Sequence, residues 1–303
     1  MTITRRQVTW GIVVAAAFLV LLAAGMKWRE TRQFSETRML LSRFPVEDAI
    51  VLNVDFAAVR AAGLLSNGKA PLEPEYKQFL DATGFDFRRD LDSVTASFSK
   101  SGYFYIARGR FNWQKLRDYA AHQGGSCYQD LCRMPGSTPE RRISFLPLRD
   151  DTMAIAVSTD DLAANRLTKQ GEPLTAALPS APAWVLVPGS AVHELGAVDP
   201  GMGLMLSALN NADRLVVTVE LSGSGLAAKM EATCRNKEDA GVLASQLRTV
   251  TAKLKEATRQ SKDAQSDVLV QVLGGGTFDD NGVKVNGQWP LNRSLIADLT
   301  SGI

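Results

Sequence analysis

Residues 92–111 read DSVTASFSKSGYFYIARGRF, which is the pattern of a β-hairpin. Two runs rich in β-branched and aromatic residues flank Lys100-Ser101-Gly102, a sequence typical of a tight turn. Asn112 follows at the position of a helix N-cap, and the helix that it begins is predicted to end at Gly124. Before the hairpin, a strand is predicted over residues 49–56. Asp55 is then placed to cap a helix.

The second half of the chain repeats this order. Asp92 and the turn Ser101-Gly102 align with Asp213 and Ser222-Gly223 at a constant offset of 121 residues, and Asn236 begins a second capped helix. A strand, a helix, a hairpin, a helix and a returning strand form the βαββαβ order of a ferredoxin-like sandwich. The sequence therefore predicts an α+β protein with two tandem ferredoxin-like modules. Their predicted bounds are 44–170 and 183–303, with a linker rich in Gly, Pro, Ser and Ala at 171–182.

A transmembrane anchor is predicted near the N-terminus. Residues 8–26 are nineteen residues without a charge, and a helix of that length spans about 28 Å, close to the thickness of a hydrocarbon core. A cleavable signal peptide has a shorter apolar stretch, although Ala23-Ala24-Gly25 leaves cleavage open as the alternative. Residues 1–28 thus form a short tail and the anchor. Residues 29–43 are predicted to continue as a juxtamembrane helix.

The charges of the chain bear on its location and on its partners. Arg5 and Arg6 favour a cytoplasmic N-terminus, and long domains translocate largely regardless of their own charge. We therefore expect a single-pass protein of the bacterial inner membrane with an extracytoplasmic, periplasmic body. Residues 29–303 carry 31 basic and 32 acidic groups. This near-neutral balance argues against a nucleic-acid partner.

The sequence predicts no catalytic residue, metal site or cofactor. The chain has two histidines, His122 and His193, and no Gly-x-Ser-x-Gly nucleophile motif. Cys127 and Cys132 bracket four residues between short strands, where directly opposed cysteines lie within disulfide range. In an oxidising compartment they are a candidate disulfide, and the alternative is a pair of reduced, buried cysteines.

Two tyrosines of the first hairpin are the predicted contact surface. Side chains alternate across a strand, so Tyr103 and Tyr105 share one face while Phe104 and Ile106 share the other. The more apolar pair is predicted to lie beneath the helices. The tyrosines would then face the second module or an external partner, because each combines an apolar ring with a polar tip.

The patterns EYKQFLDATGFDFRRDLDSV and ARGRFNWQKLRDYAAHQGG, within residues 75–169, resemble uncharacterised bacterial proteins of anchored or secreted type. That resemblance implies no site residues. The layout of tail, span, helical neck and ferredoxin-like modules also resembles in outline the inner-membrane platform proteins of type IV pili and type II secretion.

These observations predict a non-enzymatic, membrane-anchored envelope protein that serves as an interaction or ligand-binding module. The membrane, through residues 8–26, and a protein of the envelope are its predicted partners. The alternative is an anchored enzyme with an active site between the two modules.

The predicted orientation can be tested with C-terminal fusions to the full-length chain. If residues 29–303 lie outside the cytoplasm, an alkaline phosphatase fusion will be active and a green fluorescent protein fusion will be dark. The reverse pattern would place the body in the cytoplasm.

Overall fold

One antiparallel sheet of twelve strands runs through the part of the chain that the computed structural model describes, namely residues 37–45, 47–65, 73–138, 140–171, 177–191, 208–209, 212–222, 225–260 and 272–291. In chain order the strands are β1 Ile50–Asp55, β2 Leu91–Ser99, β3 Gly102–Gly109, β4 Ser126–Tyr128, β5 Leu131–Pro135, β6 Arg142–Arg149, β7 Thr152–Ser158, β8 Ala183–Pro188, β9 Ala212–Ser222, β10 Gly225–Cys234, β11 Thr277–Asn281 and β12 Lys284–Leu291. Their order across the sheet is β11-β12-β10-β9-β8-β1-β2-β3-β7-β6-β5-β4.

Helices connect and cover these strands. They are α1 Phe56–Ala61, α2 Pro74–Thr83, α3 Phe87–Asp90, α4 Trp113–His122 and α5 Lys237–Gln260, with a 3-10 helix at Ala163–Thr168. The predicted caps are confirmed. Asp55 Oδ1 accepts a hydrogen bond from the Ala58 amide at 2.8 Å, Asn112 Oδ1 accepts one from Lys115 at 3.1 Å, and Asn236 Oδ1 accepts one from Asp239 at 2.8 Å.

The predicted hairpins are also confirmed. Strands β2 and β3 pair antiparallel around the turn Lys100-Ser101, with Ser99 opposite Gly102. Gly102 has a φ of +137°, and a Cβ there would lie 2.9 Å from the Val157 carbonyl oxygen, so the turn requires glycine. The predicted α+β class is confirmed, and the strands form one large antiparallel sheet rather than two separate ones.

The ferredoxin-like strand order is wrong. That fold places its first strand between the third and the fourth strand, whereas β1 here lies between β2 and β8. Both edges of β1 are already hydrogen-bonded, so β3 cannot pair with it and instead lies between β2 and β7. Each half of the sheet is thus built from neighbouring antiparallel strands.

The two halves nevertheless share one topology, as the internal repeat predicted. The order β1-β2-β3-β7-β6 in the first half matches β8-β9-β10-β12-β11 in the second. Strands β1 and β8, the first of each half, pair with each other through Leu52–Val185 and neighbouring residues. The sheet and the hydrophobic core both continue across this β1–β8 seam. The module bounds at 44–170 and 183–303 and the linker at 171–182 remain predictions.

The two faces of the sheet are covered differently. On one, which we call the helical face, α4 packs on β6 and β7 through Leu116, and α5 packs on β10 and β12 through Leu243. On the other, which we call the N-terminal face, Leu41 and the 3-10 helix cover Phe104 and Ile106, both with 0% exposure.

The structure corrects one expectation about these faces. Tyr105 lies opposite Ile155, and Ile155 packs in the cluster that contains Leu116 of α4, so the tyrosines share the face of the longer helices. Phe104 and Ile106 are buried on the opposite face, beneath the helical residues 37–41 and the 3-10 helix. The tyrosines and the pair Phe104 and Ile106 do point in opposite directions, as predicted. The prediction that Phe104 and Ile106 lie on the face covered by α2 and α4 is wrong, because the tyrosines lie on that face.

Asp90 joins α3 to the end of the hairpin. It accepts hydrogen bonds from Arg89 at 2.7 Å and from Arg110 at 3.0 Å, and its side chain is only 10% exposed. The hydrogen bond from Arg89 is the largest of the effects that hold the pKa of this carboxyl well below its usual range. The resulting stabilisation is present at neutral pH and is lost as the pH falls below the ordinary pKa of an aspartate.

The predicted anchor at 8–26 lies entirely outside the described residues, and so does most of the predicted juxtamembrane helix at 29–43. Residues 37–41 are helical, and this helix ends before Pro45, as predicted for the end of the juxtamembrane segment. Among the residues described, no helix combines the length and the apolar character needed to cross a membrane.

Replacing Phe104 tests the assignment of the core. Phe104→Ala should lower the free energy of unfolding by about 3–5 kcal/mol, because it removes a fully buried aromatic ring. Tyr128→Ala is the matched control, since Tyr128 is 73% exposed and its loss should change stability by less than about 0.5 kcal/mol. Urea unfolding of the full-length protein measures both, and equal losses would contradict the assignment.

Candidate ligand-binding cleft

A cleft of about 830 Å³ opens on the helical face beside the β2–β3 turn. Its floor is formed by Ile50, Phe98, Tyr103 and Tyr105, which lie on three adjacent strands. Ile50 is opposite Phe98, and Phe98 is opposite Tyr103, so the pairing of β1, β2 and β3 places these side chains in one row. The remaining lining residues form the rim: Pro45, Glu47, Asp48, Ser99, Lys100, Ser101, Ser190 and Ala191.

The helices that cover the two halves of the sheet differ in length. Helix α4 has 10 residues, and Gly124, with a φ of +75°, lies just beyond its end. Its counterpart α5 has 24 residues and buries Met230 on β10 beneath Leu243 and Leu247. On β3, which corresponds to β10, Tyr103 and Tyr105 lie beyond the reach of α4 and remain half-buried.

The three aromatic rings of the floor contact one another edge to face. The Phe98 centroid lies 5.5 Å from that of Tyr103 and 5.6 Å from that of Tyr105. Burial is the main cause that raises the pKa of the Tyr105 hydroxyl above its ordinary value. At neutral pH this hydroxyl is therefore protonated and can donate a hydrogen bond inside the cleft.

Arg141 lies against the tyrosines at the start of β6. Its guanidinium carbon is 5.3 Å from the centroid of the Tyr103 ring, and its Nη2 is 3.5 Å from the Tyr103 hydroxyl. Across the described part of the chain, no Asp or Glu oxygen comes within 4.0 Å of the Arg141 guanidinium. The contacts that the structure shows for this guanidinium are with the ring and the hydroxyl of Tyr103.

The opposite rim joins the two halves of the protein. The Ser190 hydroxyl, which follows β8, donates to Asp48 Oδ1 at 3.0 Å, and Asp48 precedes β1 with a left-handed φ of +48°. At the hairpin turn, the hydroxyls of Ser99 and Ser101 lie 2.8 Å apart. These hydrogen bonds hold the loops around the opening in place.

The structure brings the two predicted contact residues together in this cleft. Sequence reasoning missed Phe98, although its alternation with Val94 and Ala96 and its place across the turn from Tyr103 could have revealed it. It also missed Ile50 and Arg141. Their approach depends on strand order, which no local pattern specifies.

The cysteine pair lies apart from the cleft, at the edge of the sheet. Cys127 and Cys132 form a disulfide across the β4–β5 hairpin, with Sγ atoms 1.97 Å apart and Cα atoms 4.0 Å apart. Cys234 is a buried free cysteine in the second half.

The two histidines also lie apart from the described part of the cleft or outside the described residues. His122 is at the end of α4, with its Nδ1 2.6 Å from the Asp118 carbonyl oxygen, and His193 falls outside the described residues. Within the described residues, no three His, Cys, Asp or Glu side chains cluster as metal ligands would.

Comparison with known proteins supplies a fold likeness. No protein-family model and no curated protein matches the chain. Among solved structures, crystal form III of TP0453 has a TM-score of 0.51 and 7% sequence identity, covering 87% of this chain and 98% of that one. Forms I and IV of the same protein have TM-scores of 0.46 and 0.44, with 8% and 7% identity, each covering 86% of this chain and 96% of that one.

The likeness to form III concerns the fold alone. The outline resemblance to pilus and secretion platform proteins depended on ferredoxin-like modules. It is corrected here, because the observed strand order is different and the structural similarity is to TP0453 instead.

Counting thiols tests the disulfide and the compartment together. The chain has three cysteines, so protein purified without reductant and then unfolded should show one reactive thiol, that of Cys234. Reduction before unfolding should raise the count to three. Three thiols without reductant would mean that Cys127 and Cys132 are reduced in the cell.

Proposed function

We propose that this protein is a non-enzymatic, membrane-anchored envelope protein that binds a small ligand in the cleft. The observation that supports this most directly is the aromatic floor of a cleft of about 830 Å³. Small-molecule sites commonly have volumes of about 300–1,000 Å³ and combine apolar walls with a few polar groups. Ile50, Phe98 and the two tyrosines supply such a wall here.

The rim is consistent with binding as its role. The Ser190 hydroxyl is hydrogen-bonded to Asp48, and the hydroxyls of Ser99 and Ser101 bond to each other. A nucleophilic serine needs a neighbouring base oriented by a third group. These hydroxyls instead connect loops. Their arrangement therefore favours a structural rim of the cleft rather than an enzyme active site.

The first described residues of the chain lie on the face opposite the cleft. Residues 37–41 are helical, and Leu41 and Phe44 pack on the N-terminal face of the sheet. The cleft opens on the opposite, helical face. A ligand could thus bind the tyrosines without displacing Leu41 or Phe44.

A ligand would also cover the half-buried aromatic side chains of the floor, Phe98, Tyr103 and Tyr105. A planar apolar group resting on Phe98 and Tyr105 would bury the ring surface that α4 leaves exposed. Burial of apolar surface contributes roughly 25 cal/mol per Å². Contact with this floor is therefore the expected main source of affinity.

Binding of 4-phenylbutanol, a neutral apolar probe, tests the proposal. Saturation-transfer NMR on the full-length protein in nanodiscs, with empty nanodiscs as reference, should detect the probe on the wild type. Phe98→Ala and Tyr105→Ala should each weaken binding about 5- to 30-fold, because each removes one aromatic contact.

Tyr128→Ala is the matched control, since it removes an exposed tyrosine that does not line the cleft. It should bind 4-phenylbutanol as the wild type does. Equal binding by all four proteins would show that the probe does not occupy the cleft.

A further inference from the structure

We propose that the ligand of the cleft carries an anionic group, such as a carboxylate, that binds Arg141 and the hydroxyls of Tyr103 and Tyr105 while its apolar part rests on Phe98. This inference rests on the proposed function, because it names the class of ligand for the same cleft. Its basis is the position and the surroundings of Arg141.

Arg141 has the geometry of a ready anion site. Its guanidinium lies over the Tyr103 ring, 5.3 Å from the centroid, which orients the planar group while its outer N–H groups face solvent. No carboxylate of the described residues neutralises it. A guanidinium binds a carboxylate through two parallel hydrogen bonds, so a ligand anion would supply the partner that the protein does not.

The tyrosine hydroxyls add donors at the same place. Arg141 Nη2 lies 3.5 Å from the Tyr103 hydroxyl, and its positive charge also acts on the hydroxyl of Tyr105. A carboxylate has two oxygens and about four acceptor sites, so it can accept from a guanidinium and a phenol together. The guanidinium of Arg141 and the hydroxyl of Tyr103 therefore meet at the edge of the aromatic floor, and Tyr105 lies two residues further along the same face of β3.

The charges on the far rim orient the ligand. Glu47 and Asp48, both exposed, stand before β1, whereas Arg141 stands before β6. Four strand spacings separate β1 from β6, which places these carboxylates about 19 Å across the sheet from Arg141. Repulsion by the two carboxylates disfavours an anion at the β1 end. Lys100, a cation of the rim, lies at the β2–β3 turn on the Arg141 side of β1, so it and Arg141 both favour an anion away from the β1 end.

A series of probes with one apolar body and three head groups tests the inference. The probes are 4-phenylbutyrate, 4-phenylbutanol and 4-phenylbutylamine, titrated at pH 7.5 into the full-length protein in nanodiscs. The wild type should bind 4-phenylbutyrate most tightly and 4-phenylbutylamine least tightly. Arg141→Gln should weaken binding of 4-phenylbutyrate about tenfold and leave 4-phenylbutanol unchanged.

Arg142→Gln is the control for net charge. Arg142 is the next residue, equally exposed, and pairs with Ser158 on the N-terminal face, so this variant should bind all three probes as the wild type does. Equal weakening by Arg141→Gln and Arg142→Gln would show a general effect of charge and overturn the inference.

The outcomes separate this inference from the proposed function. Binding of all three probes with the same affinity, or tightest binding of 4-phenylbutylamine, would overturn the anionic ligand while leaving a ligand-binding cleft. Failure of the wild type to bind any of the three would overturn both.

Discussion

Strand β1 is hydrogen-bonded on both of its edges, and most of the architecture depends on that pairing. It lies opposite β2 on one side and β8 on the other, so the two halves of the chain share a single sheet. A buried hydrogen bond from Thr95 Oγ1 to Asn53 Oδ1, at 2.9 Å, joins β2 to β1 across the N-terminal face. The Asp55 amide donates to the Pro182 carbonyl oxygen at 2.7 Å, which fixes the chain as it enters β8. Because a one-residue slip would reverse every side chain, this register also determines which residues reach the cleft.

The cleft follows from a difference between two halves of like topology. In the second half a helix of 24 residues covers the sheet, and the edge-to-face pair Phe278 and Trp289 packs beside it. In the first half the corresponding helix has 10 residues, and the chain then forms the extra strands β4 and β5. The same topology therefore gives a closed core on one side of the seam and an open aromatic surface on the other.

The positions of the charges around that surface matter more than the net charge of the protein. The body is close to neutral as a whole, with 31 basic and 32 acidic groups in residues 29–303, so attraction at long range would be weak. Locally, however, the carboxylates of Glu47 and Asp48 and the ammonium group of Lys100 lie on the rim of the cleft, and the guanidinium of Arg141 lies beside Tyr103. Selectivity in this site would thus come from short-range hydrogen bonds beside an apolar floor, where lower solvent access strengthens them.

The sequence by itself determined the local structure. The two hairpins, the helix caps at Asp55, Asn112 and Asn236, and the opposite orientation of Tyr103 and Phe104 all follow from turn chemistry, capping and the period of a strand. The repeat of element order also follows, because it is a comparison within the chain. Each of these depends on residues within a few positions of one another.

Only the tertiary structure decided the strand order, the face that the longer helices cover and the composition of the cleft. A βαββαβ order of elements is compatible with more than one order of strands in the sheet. The order that forms depends on which two strands pair with the edges of β1. Ile50 and Phe98 come from separate parts of the chain, and the strand order places them side by side. The same strand order brings Arg141 against Tyr103. Long-range pairing is a property of the whole packed sheet, so no local pattern in the sequence carries it.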